Sequence, residues 1–337
     1  MRVLLAAISI ALANGCAASH DDATKANPDM HPQGPELSFS WAEATQCPVP
    51  RFEALGAVVD GEVWVMGGFL SSGLNVTERV DIYDPGTDTW RVGPDLAGAQ
   101  THAGVVVVGS ELILAGGFVG NVRSRATSAT VWRWSVQHAA WTRGPDFPTR
   151  RAAVAMALVG SEIHAAGGLT EDGNTDSEEH VVLDLAGTNG WSNAPPLPVA
   201  RNHGGAAAAG GLFFAVAGRH AWDEVAGDEA RLDAFDPSTN AWQERTSMRA
   251  PRSEIGASTL VTADGRLLVI GGSIPGPLPS ASVLVYDPRE DVWSSLPDLP
   301  QALKGAVAAR VGVKVVVTTG SPTSTDPSAT TYVGCCL

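Results

Sequence analysis

Basic charge is scarce in this chain: 22 lysines and arginines stand against 36 aspartates and glutamates, a formal net charge of −14. A surface built to neutralise phosphates needs the opposite balance, so no nucleic-acid partner is expected. Cysteine is equally thin, four in 337 residues and scattered, too few for a disulfide scaffold or a zinc cluster. No long apolar run follows the N-terminal residues, which leaves no candidate for a membrane-spanning helix. With charged residues at 17%, hydrophobic residues at 44% and 37 glycines, the composition is that of a folded core with frequent turns rather than a disordered chain.

What is abundant is repetition. Tryptophans fall at Trp41, Trp90, Trp141, Trp191, Trp242 and Trp293, spaced 49 to 51 residues apart. Glycine marks follow the same period at Gly67-Gly68, Gly116-Gly117, Gly167-Gly168, Ala217-Gly218, Gly271-Gly272 and Thr319-Gly320. Ten residues after most of the tryptophans comes an arginine: Arg51, Arg151, Arg201 and Arg252. The stretch from Asp264 to Trp293 shows what one unit contains. An Asp264-Gly265 turn feeds the apolar run Leu267 to Ile270, which ends on Gly271-Gly272; then come a loop, a second run from Val283 to Asp287, a turn and Trp293. Asp-Gly suits a tight hairpin and β-branched runs suit strands. Such a unit is a small antiparallel sheet with two faces to cover and no core of its own.

A period near 50 with four short strands per unit resembles the kelch repeat, the building block of a β-propeller. The resemblance covers residues 37 to 337 and implies an all-β chain folded as a six-bladed kelch β-propeller. Trp41 has no glycine pair before it and Thr319-Gly320 has no tryptophan after it. The economical solution is that Leu37 to Glu43 supplies the fourth strand of the last blade, closing the ring and removing its free edge. The last unit lacks several marks and is expected to be the least regular. Kelch propellers serve as binding modules and less often as enzymes, so the resemblance says more of fold than of function.

Residues 1–16 read as an export signal, with Arg2, an apolar run from Val3 to Leu12, and Ala13-Asn14-Gly15-Cys16. A small residue before a cysteine resembles the bacterial lipoprotein box, which implies a lipidated Cys16 and a membrane contact by lipid anchor only, although Ala13 stands where the box prefers leucine. Ala17 after that cysteine favours the outer membrane by the same resemblance. Residues 17–36 are polar, proline-bearing and aperiodic, a flexible tether. The expected protein is exported, outer-membrane-anchored and monomeric.

Strand direction selects the working face. The links between units and the loops between second and third strands open on one face, and the short turns occupy the other. The loops differ from unit to unit, as binding loops on a rigid scaffold do. Arg51, Arg151, Arg201, Arg252 and, in the last unit, Lys304 are expected to ring the channel mouth on that face; the second unit has Gln100-Thr101-His102 instead. Such a ring either forms an anion pocket, guanidiniums gripping carboxylate or phosphate, or bonds loop carbonyls between blades. In the third unit Asp172, Asn174, Asp176 and Glu178 alternate as calcium ligands do, but Ser177 replaces the glycine such a loop needs, so a solvated acidic loop is the plainer account.

The fourth unit is the richest. Arg201, His203, Arg219, Trp222 and Glu224 lie on one face of one blade, an arrangement able to hold an anion or to transfer a proton, with Glu224 and His203 as the catalytic candidates. Bacterial sialic-acid epimerases of the exported kelch type resemble it in outline. No metal or cofactor is implied: copper chemistry of the galactose-oxidase kind needs tyrosine ligands, and the three tyrosines include two in the repeat's own strand position. His164 reads as a core histidine and Cys47, in the place of Leu96, Leu197 and Leu299, as a packing residue; the strand register argues against a disulfide to Cys335 or Cys336. The favoured expectation is a binding module for a glycan or an acidic peptide or protein, and the alternative is a carbohydrate epimerase or mutarotase.

Overall fold

The computed structural model describes residues 39–121, 124–187, 189–221 and 227–335. The expectations for the signal segment with Cys16, the tether, Trp222, Glu224 and Cys336 fall outside the described residues.

Every regular element among the described residues is a β-strand. The strands pair into six four-stranded antiparallel sheets, together with two smaller ones formed by loops. The first sheet is typical, running Leu55–Val59, Glu62–Met66, Val80–Asp84 and Thr89–Val92 from inside to outside. Its second strand is buried on both faces because a neighbouring sheet covers each, whereas its outermost strand is mostly exposed. The apolar runs that looked continuous in sequence are these doubly covered strands.

The innermost strands are Leu55–Val59, Gly104–Val108, Ala155–Val159, Gly205–Ala209, Thr259–Val261 and Val307–Val311. Each packs against the next and Val307–Val311 returns to Leu55–Val59, so the sheets close into a circle. The sixth sheet is made from both ends of the described chain. Ser40–Glu43 pairs with Thr331–Cys335, with Ser40 opposite Cys335 and Glu43 opposite Tyr332.

The periodic tryptophans clamp sheet to sheet. The indole N–H of Trp90 donates to Thr45 O at 2.7 Å, Trp141 to Asp95 O, Trp191 to Pro145 O, Trp242 to Pro195 O and Trp293 to Thr246 O. Trp41 completes the set by donating to Pro297 O at 2.9 Å, a residue 256 positions ahead. Each is a net contribution of about 1 kcal/mol repeated at every seam. The glycine marks have an equally direct cause. Gly68 has φ +87°, and a Cβ there would lie 2.8 Å from Phe52 O, where the first loop doubles back onto the link before its own sheet.

One expectation changes. The sixth sheet is regular, with three five-residue strands plus the N-terminal one, and the irregular sheets are the fourth and fifth. In the fifth, a turn in which Ser258 N and Thr259 Oγ1 both bond Ile255 O shortens the inner strand to three residues. In the fourth, a bulge between Val216 and Gly218 extends the second strand to Arg219 and so lifts that side chain onto the loop face. Cys47 is buried as a packing residue, and its thiol lies 3.4 Å from Val49 O rather than in a disulfide.

Candidate functional site

The links entering the six sheets share one local conformation. A residue near the end of the link bridges to the loop of its own sheet, as Phe52 does to Phe69, Ala152 to Leu169, Asn202 to Arg219, Ser253 to Ser273 and Lys304 to Ser321. The next residue is left-handed in every sheet: Glu53 (φ 50°), His102 (57°), Ala153 (54°), His203 (53°), Glu254 (54°) and Gly305 (56°). Backbone bonds tie most of these turns into a belt: Glu53 N donates to Gly305 O, Gly305 N to Glu254 O, His203 N to Ala153 O and Ala153 N to His102 O. A left-handed conformation costs about 1–2 kcal/mol for a residue with a Cβ. Four of the six positions nevertheless carry a carboxylate or an imidazole, and strain of this kind gathers at functional sites.

Those four side chains face a cavity of about 180 Å³ on the ring axis, lined by Glu53, His102, His203 and Glu254 at one end and by small or apolar residues of the inner strands below. The polar end is a connected cluster. His102 Nε2 lies 2.9 Å from Glu53 Oε2. The rings of His102 and His203 meet edge to face with centroids 4.8 Å apart. Arg219 joins the two halves, one guanidinium nitrogen 3.1 Å from His203 Nε2 and another 3.2 Å from Glu254 Oε1. Lys304 Nζ lies 3.3 Å from Glu254 Oε2. Phe69 and Phe118 wall His102 from the loop side, and the Arg125 guanidinium sits 4.6 Å over the Phe118 ring.

Neighbouring bonds settle the state of His203. Asn202 Nδ2 donates to the Asp176 carboxylate and to Ala221 O at 3.1 Å, which fixes the Asn202 carbonyl oxygen toward His203 Nδ1. Nδ1–H therefore donates to Asn202, and the Nε2 lone pair accepts from Arg219. Burial, with the positive charge of Arg219 next, pushes the His203 pKa well below its usual value, so the ring is neutral. The two carboxylates diverge. Burial raises Glu254 and the neighbouring Glu53 adds to it, against Lys304, Arg219 and His102. Burial opposes ionisation of Glu53 too, but His102, Arg219 and Lys304 outweigh it and hold that carboxyl below the usual range.

The arginine ring is corrected. Arg51, Arg151, Arg201 and Arg252 are buried, at most 4% exposed, and point away from the cavity into the sheets. Arg201 Nε donates to Ala217 O at 2.8 Å and another nitrogen meets Asp233 at 2.9 Å; Arg151 reaches Gly167 O and Glu179 O; Arg51 bonds Arg79 O at 3.0 Å and pairs with Asp81; Arg252 bonds Ser282. Gln100 does the same work in the second sheet, donating to Gly116 O at 2.6 Å, which is why that unit dispenses with arginine. The carbonyls that Arg51, Arg151 and Arg201 bond belong to their own sheets and links, so the bonding pins each loop within its blade instead of joining blade to blade.

Lys304 belongs to a different register, bridging Ser321 where Phe52 bridges Phe69, and so reaches the axial cluster that the arginines do not. His102, His203, Arg219 and Lys304 thus come together, while Glu53 and Glu254 join them without having been singled out from sequence. Their signal was their place, two residues after Arg51 and Arg252. The acidic loop of the third sheet holds no converging oxygens: Asp172 bonds its own loop at Asn174 N and Thr175 N, whereas Asp176 turns to Ala221 N and His220 of the fourth sheet.

Comparison with known proteins places this geometry among relatives. Residues 101–320 match the family model described as the KLHDC2/KLHL20/DRC7 Kelch-repeats domain, and residues 50–97 match the Kelch motif. The chain is similar to Kelch-like protein terF of Aspergillus terreus, 29% identical over 251 residues, which is 71% of this chain and 53% of that protein. It is also similar to Kelch-like protein 25 of Xenopus tropicalis, 27% identical over 55% of this chain and 31% of that one, and to alpha-scruin of Limulus polyphemus, 24% identical over 83% and 31%. The chain spans about half or less of the length of these relatives.

Proposed function

The chain belongs to the kelch-repeat family, and from that premise we propose that it is a protein-interaction propeller whose axial well receives an acidic group of its partner. The observation that carries this reading is the convergence of four strained turn residues on one cavity, with Arg219 and Lys304 beside them. Strain without a packing return is kept where a site needs its groups in fixed places. Arg219 and Lys304 place two cations at the well of an otherwise acidic protein, beside the carboxylates of Glu53 and Glu254 and an uncharged His203. Around it the loops offer apolar contact: Leu70, Val119 and Leu278 are exposed there, three of the six large hydrophobic side chains exposed among the described residues.

The test is partner capture by crosslinking in a cell-envelope extract. Protein carrying Arg219→Gln with Lys304→Met should lose the captured partner, while Arg91→Gln on an outer strand should keep it; equal capture by both ends the reading. The alternative of chemistry rests on one observation, the opposite displacement of the two carboxylates, which is how a general acid and base are set apart. A carbohydrate mutarotase built on them would speed anomeric exchange by NMR and lose that in Glu53→Gln; unchanged exchange across candidate sugars removes it. Export and anchoring through Cys16 complete the proposal, checked by labelled palmitate, whose incorporation should vanish in Cys16→Ser.

A further inference from the structure

Glu254 occupies an unusual place in the axial cluster. Each of its oxygens faces a different cation, Oε1 toward Arg219 at 3.2 Å and Oε2 toward Lys304 at 3.3 Å. That is the two-point grip a ligand carboxylate would need, already filled from within. Both distances exceed the ~2.7–2.9 Å of a tight charge-assisted bond, so the internal carboxylate holds its cations loosely. Glu53, by contrast, has a partner of its own in His102 at 2.9 Å.

We infer that Glu254 is a displaceable stand-in for a ligand carboxylate: the incoming group takes over Arg219 and Lys304, and Glu254 leaves them by taking up a proton from solvent. The inference rests on the protein-interaction reading and adds to it the way the well is emptied and filled. Its argument is one of charge. Glu254 already bridges the two cations, one oxygen to each, with His203 accepting from Arg219 as a neutral ring. A second carboxylate drawn to the same two cations would sit against Glu254, and two carboxylates sharing one site are relieved by protonation of one. The proton goes to the carboxylate that loses its cations. No covalent bond forms or breaks beyond one O–H on Glu254, supplied by the buffer, and the anion's charge replaces the one that Glu254 gives up.

The groups facing Glu254 act consistently. Arg219 on the second strand of the fourth sheet and Lys304 on the link into the sixth favour its ionised form while they face it. Glu53 opposes ionisation, as does burial, and His102 acts weakly the other way. Replacing the two cations' attention by another anion reverses the balance. A carboxylate is the favoured class because it is isosteric with the group it displaces and because the cavity, about 180 Å³, lies below the ~300 Å³ of ordinary small-molecule pockets.

Acetate is the probe. Calorimetric titration of the full chain at about pH 6 and about pH 8, each in two buffers of different protonation enthalpy, should show roughly one proton taken up per acetate and up to about tenfold weaker binding per pH unit. Glu254→Gln copies the displaced, neutral side chain: it should bind acetate more tightly than the native protein, with no proton uptake and no pH dependence. Lys304→Met should lose acetate. Binding weakened by Glu254→Gln, or native binding without proton exchange, overturns the displacement. Should Glu254→Gln fail to fold, the native protein in the two buffers decides alone. Acetate that binds with proton uptake supports the displacement even where partner capture fails, so the two readings can fall separately.

Discussion

The protein buries two histidine pairs, and they have almost nothing in common but the imidazole. His164 and His180 sit in the seam between the third and fourth sheets, Nδ1 of one 3.0 Å from Nε2 of the other. Phe213, Phe235 and Trp242 surround them. His180 Nδ1–H donates to Pro195 O at 3.1 Å, which leaves its Nε2 to accept from His164 Nδ1–H. The pair is a neutral, aromatic piece of core. His203 is buried as well and the His102 ring nearly so, but they meet Glu53, Arg219 and, through it, Glu254 and Lys304. Burial alone therefore does not distinguish a histidine that holds the fold from one placed for a ligand; the neighbours do.

The largest effect expected from breaking that comparison is acid sensitivity of the seam. Burial lowers His164 to about 4 and His180 to about 3. A histidine whose folded pKa lies below its unfolded value contributes its full share above pH ~6.5; stability is lost as pH falls from there toward the folded values, because the unfolded chain takes up protons first. The loss should reach on the order of 5 kcal/mol by pH ~4, less whatever coupling the two rings share. Urea midpoints measured across this range should fall steeply in the native protein and more gently in His164→Leu with His180→Phe. An unchanged slope would mean that the seam pair does not control acid stability.

A second contrast separates the two kinds of arginine. Arg201 is 3% exposed and bonds Ala217 O, Val199 O and Ala215 O besides Asp233. Arg201→Met strands Asp233, which keeps Arg231 as its remaining partner, so the expected destabilisation is about 3 kcal/mol, at the low end for a broken buried pair. Partner binding should survive wherever the protein remains folded. Arg219→Gln leaves the buried Glu254 with Lys304 as its remaining cation, so it should also cost about 3 kcal/mol in chemical denaturation, but it should abolish capture in protein that remains folded. Equal losses of binding in both would return the arginine ring to the ligand.

These contrasts also mark what the sequence could disclose. The period of tryptophans and glycines was legible because each sheet repeats the same backbone contacts, and a repeated contact selects a repeated residue. The closing strand followed from counting, and Trp41 bonding Pro297 is the contact that such a closure requires. Arginine repeated for the same reason as tryptophan: Arg151 and Arg201 both reach a carbonyl sixteen residues ahead, as Gln100 does. Repetition thus pointed to scaffold, and the site lay in the positions that vary. Glu53, His102, Ala153, His203, Glu254 and Gly305 share a backbone conformation that only Gly305 announces by residue type. Nothing in a glutamate discloses a positive φ, and which side chains meet on the axis depends on links some fifty residues apart.

The finest test uses the one strained turn whose side chain has no polar role. Ala153 has φ 54° and is 9% exposed, so Ala153→Gly removes a Cβ from the left-handed region and takes little from the core. The gain should be about 1 kcal/mol, somewhat reduced by the greater freedom of glycine in the unfolded chain. It should appear as a higher urea midpoint at unchanged slope, with partner capture and acetate binding as in the native protein. Glu53→Gly relieves the same backbone strain but removes a negative charge beside the well, so any similar gain in stability should come with tighter acetate binding. If both substitutions stabilise and neither touches binding, the strain at these turns is a property of the propeller's links and not of a site.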